Sequence, residues 1–362
     1  MELPYQPAAS HAAPIVPAQM VVERPIHYGP PPRPGLFRWL FSRGVSVALM
    51  ISLIANFSMY TMFHSYFQTG TSLEEKFVEG DWRSPDKIAV ITVDGAILDG
   101  EGFVKSQIDQ VRQDEHVKAV VLRVDSPGGS VTASDQLYHE LKKLREERKL
   151  PMVVSMGGIA ASGGYYVAMA VGDEKDSIFV EPTTWTGSIG VIIPHYNVAN
   201  LMKEWNVEND SVKSHPLKDL GSFTKQMTEE ERGILQALVD DSFLRFKDII
   251  KAGRPKFRDN PADLDKLATG QVFTAKQALE NGLADREGFL AAAVERAAEL
   301  ANIRAEEVRV VKYQRMMKLT DVFLGPTATA SRYEDLAKLL DLSTPRAYYM
   351  TSWLPPLATS ER

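Results

Sequence analysis

Cysteine is missing altogether from these 362 residues. Disulfides, thiolate nucleophiles and cysteine-based metal sites are therefore excluded, and an oxidising compartment would do the chain no harm. A surplus of basic charge is missing too, since 41 Lys and Arg stand against 47 Asp and Glu, a net charge of −6. A general nucleic-acid binder needs clustered surplus cations for the phosphates, so that class is set aside. Internal repeats are absent, which removes solenoid and array architectures. What is present is ordinary for a globular protein, 44% hydrophobic and 24% charged residues. The length allows one large domain with appendages, or two domains.

The prolines are unevenly spread, nine of them falling at 4, 7, 14, 17, 25, 30, 31, 32 and 34. They disfavour helix and sheet alike, so residues 1–44 read as a disordered tail. Val45 to Phe63 (VSVALMISLIANFSMYTMF) then carries no charge and is flanked by Trp39 and Tyr66. It is long enough to cross a bilayer core as one helix, and residues 45–66 are taken as a membrane anchor. A cleaved signal peptide is the competing reading, but the run sits far from Met1 and no A-x-A site follows it. Arg33, Arg38 and Arg43 precede the span while Glu74 and Glu75 follow it. The positive-inside rule therefore puts the tail in the cytoplasm and the rest of the chain outside it, on a single-pass protein of the cell membrane.

Residues 67–85 read as a polar linker, 86–311 as the folded domain and 312–362 as a C-terminal extension with a possible helix near Tyr333 to Leu340. Within the domain, Ile88–Val93, Ala119–Val124, Met152–Ser155, Ile178–Val180, Ile189–Ile193 and Val308–Val311 are short apolar β-branched runs, expected as strands. Between them, Leu137, Leu141 and Leu144 recur at helical spacing in 131–149, and Thr228 with Glu231 forms a capping box ahead of a long helix. Short helices are expected at 198–205, 261–268 and 275–281, and a longer Ala- and Glu-rich one at 288–302. Strands alternating with helices imply an α/β domain with a largely parallel sheet, whose ligand sites lie beyond the carboxyl ends of strands. Two glycine-rich turns, DSPGG at 125–129 and AASGG at 160–164, fall at such ends.

Ser162 sits in the second of these turns, between a strand and the apolar stretch from Tyr165 to Ala170. Its hydroxyl would project from a tight corner, and the glycines after it would let a substrate approach backbone N–H groups. That suits attack on a carbonyl, although a small-residue turn also serves plain close packing. A serine hydroxyl needs a base within hydrogen-bond reach. His116, His139, His195 and His215 are available beyond the span, with His195 the one that could approach a pocket. Lys213 and Lys218, in the loop VKSHPLKDLGSF at 212–223, are the amine candidates, and composition does not choose between them.

VDSPGGSV at 124–131, SMGGIAASGGYYVA at 155–168, TGSIGV at 186–191 and VKSHPLKD at 212–219, in that order behind one anchor, resemble the signal peptide peptidase A family. The likeness covers roughly Ile88 to Leu300 and has one copy of the pattern, the short form. It implies a Clp protease or crotonase-like fold with a repeated β-β-α core, and peptide-bond hydrolysis by a serine-lysine dyad. Ser162 would be the nucleophile, Lys218 rather than Lys213 the general base, and Ser188 the residue orienting that lysine. Gly129 and Gly163 would supply oxyanion-hole N–H groups. Asp125 stands where relatives often have asparagine, and His215 and Pro216 lie within the lysine loop. The resemblance further implies a homo-oligomer, by analogy an octamer, whose sites draw serine and lysine from neighbouring subunits. No metal or other cofactor is implied, and the partners would be peptides, cleaved signal peptides among them, with small or apolar residues expected at the cut. A non-catalytic peptide-binding scaffold and a crotonase-like acyl-CoA enzyme are the alternatives.

Overall fold

The computed structural model describes residues 36–67, 73–315 and 347–350. Contacts divide the chain between Thr69 and Gly70. The N-terminal unit is one helix, α1 (Leu36–Phe67), which contains the expected span. Gly44–Thr61 has a mean hydropathy of 1.5, long and apolar enough to cross a membrane. Leu53 and Phe57 are 67% and 70% exposed, so α1 covers none of this apolar surface with protein of its own unit. Its polar side chains turn inward, as where Asn56 donates to Ser52 O at 2.8 Å.

Among its described residues the second unit has eleven strands: β1 (Leu73–Gly80), β2 (Lys87–Asp94), β3 (Val117–Ser126), β4 (Gly128–Ser130), β5 (Met152–Ala161), β6 (Ile178–Val180), β7 (Trp185–Gly187), β8 (Val272–Thr274), β9 (Arg286–Glu287), β10 (Arg309–Arg315) and β11 (Tyr348–Met350). Nine of them form one sheet in the order β1-β10-β2-β3-β5-β6-β9, with β7 joining β5 and β8 joining β7. All pairs are parallel except β1 with β10 and β7 with β8. β4 and β11 pair separately.

A parallel sheet must be covered on both faces, and the middles of its central strands are accordingly near-continuous apolar runs, as at Ile88–Ile91 and Ala119–Leu122. Along β2, Ala89, Ile91 and Val93 face one core while Ile88 and Val90 face the other. Helices α2 (Phe103–Gln113) and α3 (Val131–Arg148) make the crossovers β2-α2-β3 and β3-α3-β5. Leu137, Leu141 and Leu144 of α3 are all buried, as their spacing predicts. The opposite face is closed by Ala293, Val294, Ala297 and Ala298 of the helix Leu290–Leu300. Where β10 stops short of Thr92, the Gln107 side chain completes the backbone: it accepts from Thr92 N–H and donates to Thr92 O, both at 2.9 Å.

Several expectations need correcting. The stretch read as a linker contains β1, which Glu75 ties down by an ion pair to Lys87 at 2.7 Å. Mixed polarity hid it, because β1 is an edge strand with one face in water. β7, at Trp185–Gly187, falls where no strand is expected from the apolar runs. Ile189–Ile193 is not a strand, and only Ile192 makes an isolated bridge, to Tyr348. The proline-rich residues 1–34 and the helix expected near Tyr333 to Leu340 lie outside the described residues. The long capped helix α6 (Glu229–Gly253) has both capping-box bonds in place; the intervening helices are α4 (Gly163–Ala168) and α5 (Ala199–Glu204).

Leu141, wholly buried in α3, and Leu244, 56% exposed in α6, give a direct check on where the core lies. Leu141→Ala is expected to cost about 2–5 kcal/mol and Leu244→Ala under about 0.5 kcal/mol in urea unfolding of the soluble unit or in detergent.

Candidate active site

The strand leading to Ser162 does not end at Ser155. Between Val124↔Met156 and Ser126↔Ala160 the β3–β5 register slips, and Gly157, Gly158 and Ile159 are accommodated as a bulge. Asp125 holds that bulge: its Oδ1 accepts the Ile159 N–H at 3.0 Å, and a Cβ on Gly157 would lie 2.7 Å from its carboxyl carbon. β5 therefore runs on to Ala161 and delivers Ser162 to the start of α4.

Ser162 has φ 53 and ψ −114, left-handed backbone that a serine rarely adopts. Two hydrogen bonds hold it there. Its N–H donates to Gly187 O at 2.8 Å and its carbonyl accepts the Tyr166 N–H at 2.9 Å. The side chain is 1% exposed, and its Oγ is buried with no hydrogen-bond partner among the described residues. A buried hydroxyl left unpaired costs on the order of 1–3 kcal/mol, and such groups in native folds call for a reason. Because α4 is only six residues long, polar stabilisation here comes from individual N–H groups rather than from a helix dipole.

Those N–H groups belong to a glycine cradle. Gly128 has φ 97, and a Cβ there would lie 2.6 Å from Gly163 N. A Cβ on Gly129 would lie 2.0 Å from Ile97 O, and one on Gly163 would lie 3.1 Å from Gly129 N. The three glycines thus bring the amides of Gly129 and Gly163 together beside Ser162, with no room for side chains. On the opposite side, β5 and β7 pair with Ala161 opposite Gly187, so Ser162 and Ser188 follow as neighbours. Ser188 is also left-handed, φ 49, and its N–H donates to Gln271 O at 2.7 Å.

The lysine loop is arranged by charge. Asp219 accepts from Lys213 at 2.5 Å and Lys225 at 2.6 Å, and Lys225 also reaches Glu231 at 2.5 Å. The hydrogen bonds from Lys213 and Lys225 hold the Asp219 carboxyl down to about 2. Its bonds to Asp219 and Glu231 push Lys225 above the usual lysine range. Lys218, on the 3-10 turn Pro216–Asp219, is exposed and makes no ion pair among the described residues. It is not hydrogen-bonded to Ser162 within one chain. His195 Nε2 lies 3.3 Å from Ser222 O, His215 Nδ1 accepts the Leu217 N–H at 3.2 Å, and His116 and His139 are exposed. Among the described residues, no histidine is bonded to the Ser162 hydroxyl.

Of the residues singled out by sequence, Ser162, Ser188, Gly129 and Gly163 come together and Lys218 does not join them in one chain. Ser134 was missed. Its hydroxyl is buried and unpartnered, and it lies 2.5 Å from where a Gly163 Cβ would be. In sequence it is one more small residue on α3, and only its position behind the cradle marks it.

Comparison with known proteins places these features in a family. The model of peptidase family S49 matches residues 144–304, and that of Clp protease matches 99–184, in accord with a Clp protease-like α/β fold. A protease-named chain of Synechocystis sp. is 39% identical over 224 residues, covering 62% of this chain and 78% of its own length. Protease 4 of Salmonella typhi is 40% identical over 225 residues, 60% of this chain and 35% of that protein. Serine protease SPPA, chloroplastic, of Arabidopsis thaliana is 32% identical over 256 residues, 66% of this chain and 36% of that protein. The chain thus spans about a third of the length of these two longer relatives.

Two outcomes are expected from this geometry. Gly129→Ala drives a Cβ into the Ile97 carbonyl and should cost more than about 2 kcal/mol by denaturant unfolding. Gly158→Ala, whose Cβ clears Asp125 Oδ1 by 3.7 Å, should cost under about 1 kcal/mol. For the loop, a carboxyl whose folded pKa is depressed contributes order above its unfolded value, which is lost as pH falls through the folded one. Amide-exchange protection over 215–222 should therefore hold at pH 5 and fall between about pH 4 and about pH 2, and Asp219→Asn should remove that pH dependence.

Proposed function

This chain belongs to peptidase family S49, and on that premise we propose that it is a membrane-anchored serine peptidase that works with Ser162 as nucleophile and Lys218 as general base. The observation that carries the reading is the Ser162 hydroxyl, buried and unpartnered on a strained turn beside the amides of Gly129 and Gly163. A peptide carbonyl seated against those two N–H groups has its carbon presented to Oγ. Attack then moves negative charge onto the carbonyl oxygen, where the pre-aimed donors stabilise it; one such donor is typically worth about 3 kcal/mol. The base takes the Ser162 proton and delivers it to the leaving amine, and water activated by the same base hydrolyses the acyl-enzyme.

An amine acts as a base only when neutral, which calls for burial away from carboxylates. Lys213 and Lys225 are engaged in ion pairs with Asp219 and Glu231. Lys218 alone in this loop is free of carboxylates, which supports it over Lys213. It is exposed in a single chain, and docking against a neighbouring subunit's cradle would supply both the burial and the nucleophile. Ser188, next to Ser162, is suited to orient an incoming ammonium or amine. We therefore assign each site to two subunits of a homo-oligomer, an octamer by analogy. The apolar helix α1 anchors the chain once, residues 1–44 stay in the cytoplasm and the peptidase domain, from β1 onward, lies outside. Its substrates are peptides, cleaved signal peptides among them.

Peptide hydrolysis by variants tests this reading. Ser162→Ala and Lys218→Met should each lower kcat/KM by at least about 1,000-fold, while Lys213→Met stays within about tenfold. Co-assembled Ser162→Ala and Lys218→Met chains should regain about a quarter of wild-type activity if sites are shared between subunits. Labelling by a fluorophosphonate that persists in Ser162→Ala, or activity that survives Lys218→Met, would defeat the assignment. Intact binding of peptide without turnover in the wild type would indicate a scaffold instead.

A further inference from the structure

Glu231 is the only carboxylate buried among the described residues, at 1% exposure, and its place at the start of α6 does not by itself call for burial. It completes a capping box: Oε2 accepts the Thr228 N–H at 2.9 Å, and Thr228 Oγ1 accepts the Glu231 N–H at 3.2 Å. The helix Ala275–Asn281 has the same box on Thr274 and Gln277, and there Gln277 is exposed. An uncharged side chain in water is thus enough to cap a helix in this fold. A charge taken out of water is costly unless paired, and a buried ion pair adds little net stability over neutral packing. The best-attested use of such a pair is to fix a position.

Its partners show which position is fixed. Glu231 Oε1 accepts from Lys225 Nζ at 2.5 Å, and the same ammonium donates to Asp219 Oδ1 at 2.6 Å. Asp219 closes the 3-10 turn Pro216–Asp219 and directly follows Lys218. The turn is bonded within itself: Lys218 N–H donates to His215 O at 3.0 Å, Leu220 N–H to Leu217 O at 3.2 Å and Ser222 N–H to Asp219 O at 3.0 Å. Residues 220–228, between the turn and α6, form neither helix nor strand, so regular backbone does not set the turn against the domain. A second tie, from Val198 N–H to Phe223 O at 2.8 Å, leads to α5, none of whose residues is buried. By contrast α6 is rooted in the core by Phe246, Ile249 and Ile250. The route Glu231–Lys225–Asp219 therefore joins the Lys218 turn to a buried framework.

We propose that Glu231 is a positioning residue for peptide hydrolysis, which through Lys225 and Asp219 holds the turn that presents Lys218 to the reacting serine. The proposal rests on the reading of Lys218 as general base given above. Glu231 itself touches no reacting atom. A base must lie within hydrogen-bond reach of the proton it removes, and a misplacement of about 1 Å can lower the rate about a hundredfold. The bridge limits such wandering by fastening the residue next to the amine.

The Glu231→Gln variant tests this directly, because glutamine makes the same capping box without the charge. In detergent, the full-length variant should keep the wild-type assembly mass and circular dichroism. Its kcat on fluorescent casein should fall about tenfold, with KM within about twofold of wild type. Amide exchange should quicken at least about tenfold over 216–222 and stay unchanged over 240–250. Lys225→Met removes the bridge from its partly exposed end, leaves the cap alone and should give the same loss of kcat. Since the two residues act as one unit, the double variant should lose about tenfold rather than about a hundredfold. Glu230→Gln, at the exposed neighbouring position, should behave as wild type. Wild-type kcat in Lys225→Met or in an assembled Glu231→Gln, or a hundredfold loss in the double variant, overturns the positioning role and leaves the dyad. Undiminished activity in Lys218→Met overturns both.

Discussion

Parallel pairing of β5 with β7 is the constraint on which the site depends. That pairing makes Gly187 O the acceptor for Ser162 N–H, while α4 returns the Tyr166 N–H to the Ser162 carbonyl. Bonded on both sides, Ser162 stays in a left-handed conformation that costs on the order of 1–3 kcal/mol. The surrounding cores offset that cost, since Tyr165, Tyr166, Val167 and Ala168 of α4 are all buried. The same register sets Ser188 beside Ser162. A strand pairing thus decides where a hydroxyl points, and the β5 bulge held by Asp125 decides that the strand reaches it at all.

The second element is a distribution of charge. Two of the three lysines between 213 and 225, Lys213 and Lys225, meet two carboxylates, Asp219 and Glu231, and are paired by them. Lys218 is left unpaired at the exposed turn. A single chain therefore carries a buried, unpartnered hydroxyl at Ser162 and an unengaged amine at Lys218, which the assembly proposed above would bring together. Burial at a subunit boundary would also favour the neutral amine, so association and basicity would be linked in one step.

A strand edge is a hazard when open and a recognition surface when directed. β4 has Ile97 on one edge and β11 on the other, with glycines that allow backbone to approach closely. Beside this backbone pairing, the rings of Tyr166 and Phe246 form a pocket that the Tyr349 side chain fills. Tyr165, by contrast, points away and donates to Leu283 O at 2.9 Å. Neighbouring tyrosines in one motif thus take different tasks, Tyr166 walling the pocket and Tyr165 joining α4 to the segment after Asn281.

Local pattern alone determined much of this protein. The uncharged run of α1, the apolar runs of β2, β3 and β5, the leucine spacing of α3 and the capping box of α6 are properties of near neighbours in sequence, and the residues around Ser162 are small in a row. Edge strand β1, strand β7, the aromatic pocket and the approach of β11 were decided only in three dimensions, because each depends on partners far along the chain. Ser162 is marked in the sequence by its small neighbours, whereas Ser134 is singled out only by the fold, which leaves its hydroxyl without a hydrogen-bond partner among the described residues and packs it against Gly163. Lysine position was likewise legible as a loop, but which of its cations is paired was decided by the path of that loop, which turns Lys213 and Lys225 onto Asp219 and Glu231 and leaves Lys218 pointing elsewhere, since pairing depends on side-chain direction and not on spacing alone.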